Sequence, residues 1–597
     1  MRMNSLSLNH FRLRLGDVDA LPQWVLIGLL SGLLTGLIML AFHHAINWPL
    51  QQLLPDGNPA NFEGLPPEAR LLLPIAGSLL LGLLLWRFSG SSQVGIAHVL
   101  ERLSYHQGRM RLSNLLVQFV AATISLISGH SGGREGPAVH MGAGASSLIG
   151  QYLRLPNNSL RTLIGCGTAA AIAAAFDTPI AGIIFAMEVV MMEYTVAGFI
   201  PVMIAAITSN LVLRVSLGQH ASDVIPALQM QTLHEIPFIV LLGFVIGLLA
   251  VLFSKLLTRT ARWQKPPLFI RLQIAGVITG VAALFLPQIM GIGYDTVSNA
   301  LSGQGSFELL AMLALVKLVV TALAIGLGVP VGIIGPTLFI GATAGAAIGA
   351  LGISVVDLPV SEQGFYAMLG MGAMMAATLQ APLAALLALL ELTLNANIIL
   401  PAALTIITAT LTYRFFFHQG SAFQALLVNR GLDWRRAPLE RFLERTAAVS
   451  LMQPVSITTP RHVDRVHAQS LADNDQEWLL ITQDNQPRAI IARSDLTIYL
   501  ETLRDDSAQP VPNDNFTPSE PALSKQAPAE ALIDLMSIPA LRHDLTRVSA
   551  QATLSEALQQ LNTDNCDALW LADHQDQPLG LLLRATITHH FSHEKSN

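Results

Sequence analysis

The sequence Gly133-Arg-Glu-Gly-Pro137 is followed five residues later by Gly142, and Gly332-Ile-Ile-Gly-Pro336 is followed five residues later by Gly341. Both stretches have the form GxxGPxxxxG, and an apolar run follows each of them. Proline fits the first turn of a helix, and glycine lets another group approach the backbone closely. The pattern therefore predicts two helix starts of one kind, placed in the two halves of a repeat.

The repeat extends beyond these two motifs. In the first half, the next landmarks are Gly165-Cys-Gly167, Pro179 and Glu188. In the second half they are Gly370-Met-Gly372, Pro382 and Glu391. The glutamate follows the proline by nine residues in both copies. We therefore predict one half near residues 21–215 and the other near residues 236–417. Repeats of this kind are typical of membrane transporters, whose substrate site lies between the halves. The residues alone leave open whether the halves are parallel or inverted.

The composition indicates that this repeat lies in a membrane. Of the 597 residues, 52% are apolar and only 12% are Asp, Glu, Lys or Arg, and the mean hydropathy is +0.51. Water-soluble chains carry about 25% charged residues. Residues 1–429 hold 19 basic and 17 acidic groups, whereas residues 430–597 hold 15 and 23. We predict a membrane body followed by an acidic soluble tail, and no nucleic-acid partner.

The loop charges predict the orientation of the body. Residues 255–271 contain five basic side chains and no acidic one, and residues 102–111 are also rich in arginine. By the positive-inside rule these segments are cytoplasmic. We expect a multi-pass protein of a prokaryotic plasma (inner) membrane with both termini in the cytoplasm. The two cysteines, Cys166 and Cys566, do not form a disulfide framework.

The two helix starts are suited to holding an anion. A helix N-terminus offers unpaired N–H groups and the positive end of a dipole, so two converging starts hold an anion without a buried Lys or Arg. Glu135 lies inside the first motif, and an ionisable residue at membrane depth is a functional candidate by default. We predict that its carboxylate occupies the anion position and that protonation releases it. Two plainer readings stay open: the motifs only break helices, or Glu135 pairs internally with Arg134.

Several other polar residues have simpler interpretations. Glu188 and Glu391 occupy equal positions in the two halves, so a shared structural role is as well supported as a chemical one. Asp177 is expected to be the N-cap of the helix that follows it. His130 and His140 flank the first motif, but no second ligand stands at a metal-binding spacing. We expect no resident metal and no cofactor.

Together these residues resemble the CLC family of chloride channels and chloride/proton antiporters, over nearly the whole chain. Gly133–Pro137 is identical to the most diagnostic motif of that family, and Gly332–Pro336 is similar to its GxFxP motif with Ile334 in place of Phe. The resemblance implies an all-α polytopic membrane body with an inverted repeat. It also implies a homodimer with one pore in each subunit, and Glu135 as the gate and proton acceptor.

Three positions depart from the family pattern. Residues 93–97 take the place of the family's GSGIP segment, so the anion-coordinating Ser is replaced by Val94, and the late pore Tyr is replaced by Phe423. Backbone N–H groups are then left to coordinate the anion. Glu188 and Val189 are the proton-pathway candidates, because many antiporters carry a second glutamate where this chain has Val189. Channels of the family commonly have Val there, which favours passive conduction.

The predicted anion pathway joins the two motifs to the replaced positions. Its residues are Gly133, Arg134, Gly136, Pro137, Val94, Gly95, Ile96, Gly332, Ile333, Ile334, Gly335, Pro336 and Phe423. We predict voltage- or pH-gated transport of chloride or a similar small anion, with a channel slightly favoured over a chloride/proton antiporter. A divalent-cation transporter is the first rival, and the sparse acidic residues of the body count against it. An embedded enzyme is the second, and no nucleophile–base pair is found.

The tail resembles a pair of cystathionine-β-synthase-type (CBS) domains, that is, a soluble α+β unit. Its two apolar passages both indicate the order strand, helix, strand, strand, helix. An adenine nucleotide bound between the modules, with Asp495 at the ribose, is as well supported as a purely structural or dimer-stabilising tail. The predicted boundaries are 1–20 (N-terminal segment), 21–428 (transmembrane domain), 429–448 (linker), 449–502 (first CBS domain), 503–530 (flexible linker) and 531–592 (second CBS domain).

Overall fold

The computed structural model describes residues 21–88, 95–194, 196–218, 229–355, 361–418, 420–432, 443–444, 446–454, 457–484, 486–506, 532–540, 542–573 and 576–594. The chain divides into two compact units. One is the membrane body, Val18–Leu155 with Ser159–Arg436, and the other is the tail from Ala437 onward, to which Pro156–Asn158 also belong. Among the described residues, nine helices are long and apolar enough to cross a membrane. The chain is therefore an integral, multi-pass membrane protein.

Two successive series of eight helices build the body, and one short helix follows them. The first series is α1 (Leu21–Leu53), α2 (Pro67–Arg87), α3 (Gly95–Tyr105), α4 (Leu112–Ile127), α5 (Glu135–Tyr152), α6 (Asn157–Phe176), α7 (Pro179–Phe185) and α8 (Val196–Leu217). The second is α9 (Ile236–Ala261), α10 (Leu268–Phe285), α11 (Tyr294–Leu301), α12 (Phe307–Leu327), α13 (Ile334–Val355), α14 (Gln363–Leu379), α15 (Pro382–Thr393) and α16 (Ile399–Phe416); α17 (Ala422–Asn429) comes last.

The two series are related by an approximate two-fold rotation. Helix α1 packs on α8, and its counterpart α9 packs on α16. Helix α2 meets its own counterpart α10, and α7 meets its own counterpart α15. At the two GxxGP motifs, the N–H of Gly133 donates to the carbonyl of Gly332 at 2.9 Å, and the N–H of Gly332 donates back to Gly133 at 2.7 Å. Reciprocal contacts of this kind are those that two halves of one repeat make.

The glycine landmarks of the repeat are helix-packing contacts. A Cβ atom on Gly142 would lie 2.3 Å from the carbonyl oxygen of Gly167, and one on Gly341 would lie 2.3 Å from that of Gly370. Gly370 is therefore the counterpart of Gly167 and not of Gly165, which corrects the pairing read from the sequence. Only the absence of side chains lets α5 approach α6, and α13 approach α14, so closely.

We expect Gly142→Ala to lower the stability of the body by about 1–3 kcal/mol, because the new methyl group would overlap backbone that cannot move aside. Thermal unfolding of the purified protein in detergent measures this change. Gly144→Ala is the matched control on the same helix, since its Cβ would lie 3.4 Å from the nearest atom, in ordinary contact. Equal melting temperatures for the two variants would contradict the packing account.

The described residues of the tail form short strands and four helices. Its strands are β1 (Gln453–Pro454), β2 (Thr458–Pro460), β3 (His462–Val463), β4 (Trp478–Gln483), β5 (Gln486–Ala492), β6 (Ile533–Asp534), β7 (Arg542–Ser549), β8 (Ala568–Ala572) and β9 (Pro578–Leu583). Its helices are α18 (Arg465–Ala472), α19 (Arg493–Asp506), α20 (Leu554–Thr563) and α21 (Arg584–Glu594). One sheet has the order β1-β9-β8-β7-β5-β4-β2, and β3 pairs with β6. The predicted strand–helix–strand–strand–helix order is present twice.

The predicted tail boundaries do not coincide with the two hydrophobic cores. Strand β1 pairs with β9, and Val449 packs in the core around α20, so the segment before residue 455 belongs to the second module. Strand β6 pairs with β3, and Leu535 packs in the core around α18, so residues 532–540 belong to the first module. Each module therefore begins with a segment that packs in the other one. A reading along the sequence assigns such segments to the wrong module.

Candidate functional site

The two GxxGP motifs cross each other, backbone against backbone. Helix α5 starts at Glu135 and α13 starts at Ile334, directly after the reciprocal hydrogen bonds between Gly133 and Gly332. A Cβ atom on Gly136 would lie 2.7 Å from the Cα of Gly332. Glycine is thus required on both sides of the crossing. The result places the N-terminus of one helix from each half next to the other.

The side chain of Glu135 leaves its own half and enters the other. It is fully buried, and its Oε2 accepts a hydrogen bond of 3.1 Å from the N–H of Gly335, in the first turn of α13. Its Oε1 accepts a hydrogen bond from the phenol of Tyr294, the first residue of α11. A carboxylate at a helix N-terminus is stabilised by the N–H groups and the dipole. The same groups suit a small anion.

Arg134 does not face the carboxylate beside it in the sequence. Its Nη2 donates to the carbonyl of Ala175 at 2.8 Å, and its guanidinium lies 5.7 Å from the ring centroid of Tyr294. The plain alternative of an internal Glu135–Arg134 ion pair is therefore not the arrangement found. Arg134 instead fixes the start of α5 against the end of α6.

A cavity of about 240 Å³ brings predicted pathway residues together from four different helices and their flanking loops. The predicted residues that line it are Gly95, Ile96, Gly136, Gly332, Ile333 and Phe423. Arg271 and Arg430 line it as well, and Arg430 is paired with Glu101 at 3.2 Å. Val94 lies outside the described residues. The cavity is a cationic space that begins beside the motif crossing.

One predicted donor in this cavity is already used. The N–H of Gly95 donates to Oε1 of Gln118 at 2.8 Å, and Nε2 of Gln118 donates to the carbonyl of Pro330 at 3.3 Å. Gln118 therefore ties the start of α3 to the loop that precedes the second motif. No sequence signal pointed to Gln118.

A second cavity, of about 350 Å³, is lined by Arg134 together with the ion pair between Asp177 and Arg214. The two residues that flank Glu135 in the chain thus line different cavities, Arg134 this one and Gly136 the other. The Glu135 side chain lines neither cavity. Glu135 therefore lies in the chain between Arg134, which lines one cavity, and Gly136, which lines the other.

Glu188 and Glu391 cap helices in a reciprocal way. The oxygens of Glu188 accept from the N–H groups of Leu383 and Ala384, at 3.4 and 2.8 Å, at the start of α15. Those of Glu391 accept from the N–H groups of Ile180 and Ala181, at 2.9 and 2.7 Å, at the start of α7. Each half therefore caps a helix of the other. Both carboxylates accept hydrogen bonds from N–H groups at helix starts. Val189, next to Glu188, is buried and has no polar side-chain group.

The expected N-cap role of Asp177 is wrong. Asp177 has a positive φ of 59°, which directs its side chain to Nε of Arg214 at 2.7 Å. Thr178 is the residue at the N-cap position of α7, and its side chain makes no capping bond. The N–H groups there are satisfied by Glu391 instead. A partner more than two hundred residues away replaced the local cap.

Two residues at the site were missed by the sequence analysis, Tyr294 and Lys317. Lys317 is fully buried in α12, and its Nζ donates to the carbonyls of Ile289 and Gly291, both at 2.9 Å. This buried ammonium is engaged by carbonyls and makes no hydrogen bond to the Glu135 carboxylate. The signal was present, because Lys317 interrupts an apolar run and the rule that selected Glu135 applies to it equally. For Tyr294 no sequence signal pointed to the contact.

The fold and this site define a polytopic membrane protein in which two helix starts cross, with a buried carboxylate at the crossing. Residues 77–414 match the family model described as voltage gated chloride channel, and the chain belongs to this family, the CLC family. This chain is 34% identical to a putative ClcB-like chloride channel protein of Ralstonia nicotianae over 370 residues, and the match covers 60% of this chain and 85% of the relative. It is 30% identical over 412 residues to the H(+)/Cl(−) exchange transporter ClcA of Yersinia pestis, covering 66% and 86%.

Solved structures give the same fold. A slow cyanobacterial Cl−/H+ antiporter is similar with a TM-score of 0.59 at 25% identity, covering 68% of this chain and 97% of that one. A eukaryotic CLC transporter shares the fold over 96% of this chain and 99% of its own, with a TM-score of 0.56 at 17% identity. The CLC-type helical body is therefore shown, and the tail is a unit of strands and helices.

We expect Glu188→Ala and Glu391→Ala to lower stability by about the same amount, roughly 1–2 kcal/mol each, because each variant leaves two helix-start N–H groups without an acceptor. Thermal unfolding in detergent measures both. Glu362→Ala is the control, since Glu362 precedes α14 but makes no side-chain capping bond. A large loss for one glutamate and none for the other would contradict the reciprocal capping.

Proposed function

We propose that this protein exchanges chloride for protons across a membrane, with Glu135 as the gate. The observation that carries the proposal is the position of the Glu135 carboxylate. It accepts a hydrogen bond from an N–H group in the first turn of α13, and N–H groups at helix starts are the kind that bind anions. The carboxylate and the anion compete for this place. Protonation removes the charge of Glu135 and weakens its hold, so that an anion can take its position.

The rest of the predicted pathway supports this order of events. The cavity of about 240 Å³ offers Arg271 and Arg430 at its walls, so it attracts anions and leads them to Gly332 and Gly136 at the crossing. Lys317 does not line this cavity, and its amine is engaged by carbonyls. The anion then meets partial charges rather than a free ammonium group. Weak, graded binding favours release as well as entry.

The exchange reaction replaces the channel that the sequence favoured. Val189 was the reason for that preference, because family channels commonly have Val there. Matched relatives, however, are named H(+)/Cl(−) exchange transporters, and a matched structure is titled a Cl−/H+ antiporter. In this proposal Glu135 carries the proton at the crossing, and Glu188 serves α15 as a cap. The family assignment also favours an anion pathway over a divalent-cation transporter and over an enzyme.

The exchange is tested in liposomes that contain the purified protein, by imposing a chloride gradient without a proton gradient. We expect protons to move against their own gradient while chloride flows, because one gate serves both ions. Internal pH and chloride are recorded together. Chloride flux without proton movement would instead support the channel, and no flux of any halide would overturn the anion-transport proposal.

We expect Glu135→Gln to abolish the pH dependence of chloride flux and the proton movement, since a neutral amide cannot titrate. Flux between about pH 4 and pH 8 in the same liposomes measures this. Glu308→Gln is the control, because Glu308 lies exposed in the first turn of α12. A Glu135→Gln protein with the wild-type pH profile would remove Glu135 from the role of gate.

We further propose three features that the family resemblance implies: the direction of the two halves, the oligomeric state and the side of the membrane on which the termini lie. The two halves span the membrane in opposite directions, the protein is a homodimer with a pathway in each subunit, and both termini lie on the cytoplasmic side of a plasma membrane. The two-fold relation of the halves supports the first point. The basic loop around residues 255–271 supports the last.

For the tail we propose a CBS pair that binds an adenine nucleotide. The two modules repeat a local contact at equal places, since the N–H of Arg493 bonds the carbonyl of Glu477 at 3.0 Å and that of Arg584 bonds Asp567 at 2.9 Å. Asp495 lies in the first turn of α19, just after the first of these contacts. This repeated geometry supports a pseudo-symmetric pair with a ligand between the modules.

We expect full-length protein to bind ATP, ADP or AMP in calorimetry, and Asp495→Ala to weaken that binding by about tenfold, as for loss of a hydrogen bond to a charged group. Asp473→Ala, at the end of α18, is the control and should bind as the wild type does. An absence of heat with all three nucleotides would favour the purely structural tail.

A further inference from the structure

The phenol of Tyr294 is the second donor that holds the gate, and it comes from a different helix than the first. Oε1 of Glu135 accepts from Tyr294 of α11, while Oε2 accepts from Gly335 of α13. The two donors share one carboxylate. An anion that displaces Glu135 from α13 must therefore also break the bond to Tyr294.

The backbone before Tyr294 is shaped to present the phenol. Gly291 and Gly293 have φ values of 56° and 78°, which other residues rarely adopt. A Cβ atom on Gly293 would lie 2.7 Å from the ring of Phe339, and one on Gly291 would lie 2.7 Å from the ring of Phe62. The turn is thus packed on both sides. The position of the phenol follows from this turn.

Lys317 anchors the same turn. Its Nζ donates to the carbonyls of Ile289 and Gly291 and lies 4.7 Å from the ring centroid of Phe339. The turn is also joined to the segment that precedes the first motif, because the N–H of Gly291 donates to the carbonyl of Gly129 at 3.1 Å. A fully buried ammonium is costly unless it is well bonded, so this position is held firmly. The lysine acts on the gate only through the turn.

This inference rests on the proposed function of Glu135 as the gate. We propose that Tyr294 is a positioning residue: its hydrogen bond, here called the latch, holds the ionised Glu135 in place and thereby sets the pH dependence of transport. Lys317 positions the turn that carries Tyr294. A hydrogen bond to a charged carboxylate is about twice as strong as one to a neutral acid. Protonation of Glu135 therefore loosens the latch and the contact with α13 together. The other charged groups around the latch are Arg134 just before α5, Asp295 on α11 and Lys317 on α12.

The test is chloride flux from liposomes that contain full-length Tyr294→Phe protein, measured between about pH 4 and pH 8. We expect flux at neutral pH to rise by up to about tenfold, the scale of one hydrogen bond to a charged group, and flux at acidic pH to change little. The pH profile is thereby flattened. Tyr413→Phe is the matched control, since its hydroxyl also donates to an oxygen of another helix, that of Ser254 at 2.9 Å; we expect the wild-type profile.

Three further variants separate the latch from a general effect. In the Glu135→Gln background, Tyr294→Phe should add no further change, because no charged carboxylate is left to hold. Lys317→Arg should keep more of the wild-type pH profile than Lys317→Met, since a guanidinium can still donate to the carbonyls. An unchanged or lower neutral-pH flux in Tyr294→Phe would overturn the latch, as would an equal rise in the Glu135→Gln background.

Failure of the latch and failure of the gate are distinguishable. If Glu135→Gln abolishes the pH dependence while Tyr294→Phe behaves as the wild type, the gate stands and the latch is overturned. If Glu135→Gln keeps the wild-type pH dependence, the proposed gate itself fails, and the latch falls with it.

Discussion

The crossing of the two GxxGP loops is the constraint on which the body depends. The reciprocal hydrogen bonds between Gly133 and Gly332 bring the start of α5 to the start of α13, where neither loop has room for a side chain. Both helices then leave from one point, and glycine contacts pack each of them closely on the next helix. The reciprocal caps of Glu188 and Glu391 repeat the same exchange between halves at α15 and α7.

A buried carboxylate needs compensation, and the crossing supplies it. Moving an unpaired charge out of water is expensive, and Glu135 is fully buried. The N–H of Gly335 and the phenol of Tyr294 provide two hydrogen bonds, and the dipole of α13 adds to them. The one fully buried ammonium described nearby, that of Lys317, gives its hydrogen bonds to carbonyls. The resulting site is electropositive by geometry, and this suits an ion that must both enter and leave.

The sequence predicted much of this because the signals were local or repeated. The motif starts, the two halves and the place of Glu135 were each predicted from spacing, and the structure has a helix start at each motif, with Glu135 at the first of them. The N-cap role predicted for Asp177 was wrong, because the start of α7 is capped by Glu391, a partner that no local pattern indicates. Strand β7 was missed because polar residues interrupt it, although it is central in the tail sheet. The contact of Tyr294 depends on tertiary structure alone.

The central claim is that the Glu135 carboxylate occupies an anion site at the start of α13. Crystals of the Glu135→Ala protein grown in bromide test it directly, because anomalous scattering locates bromide without bias. The account predicts a bromide peak within hydrogen-bonding reach of the Gly335 N–H group, at the place the carboxylate leaves. A map with ordered bromide elsewhere in the pathway and none at Gly335 would contradict it.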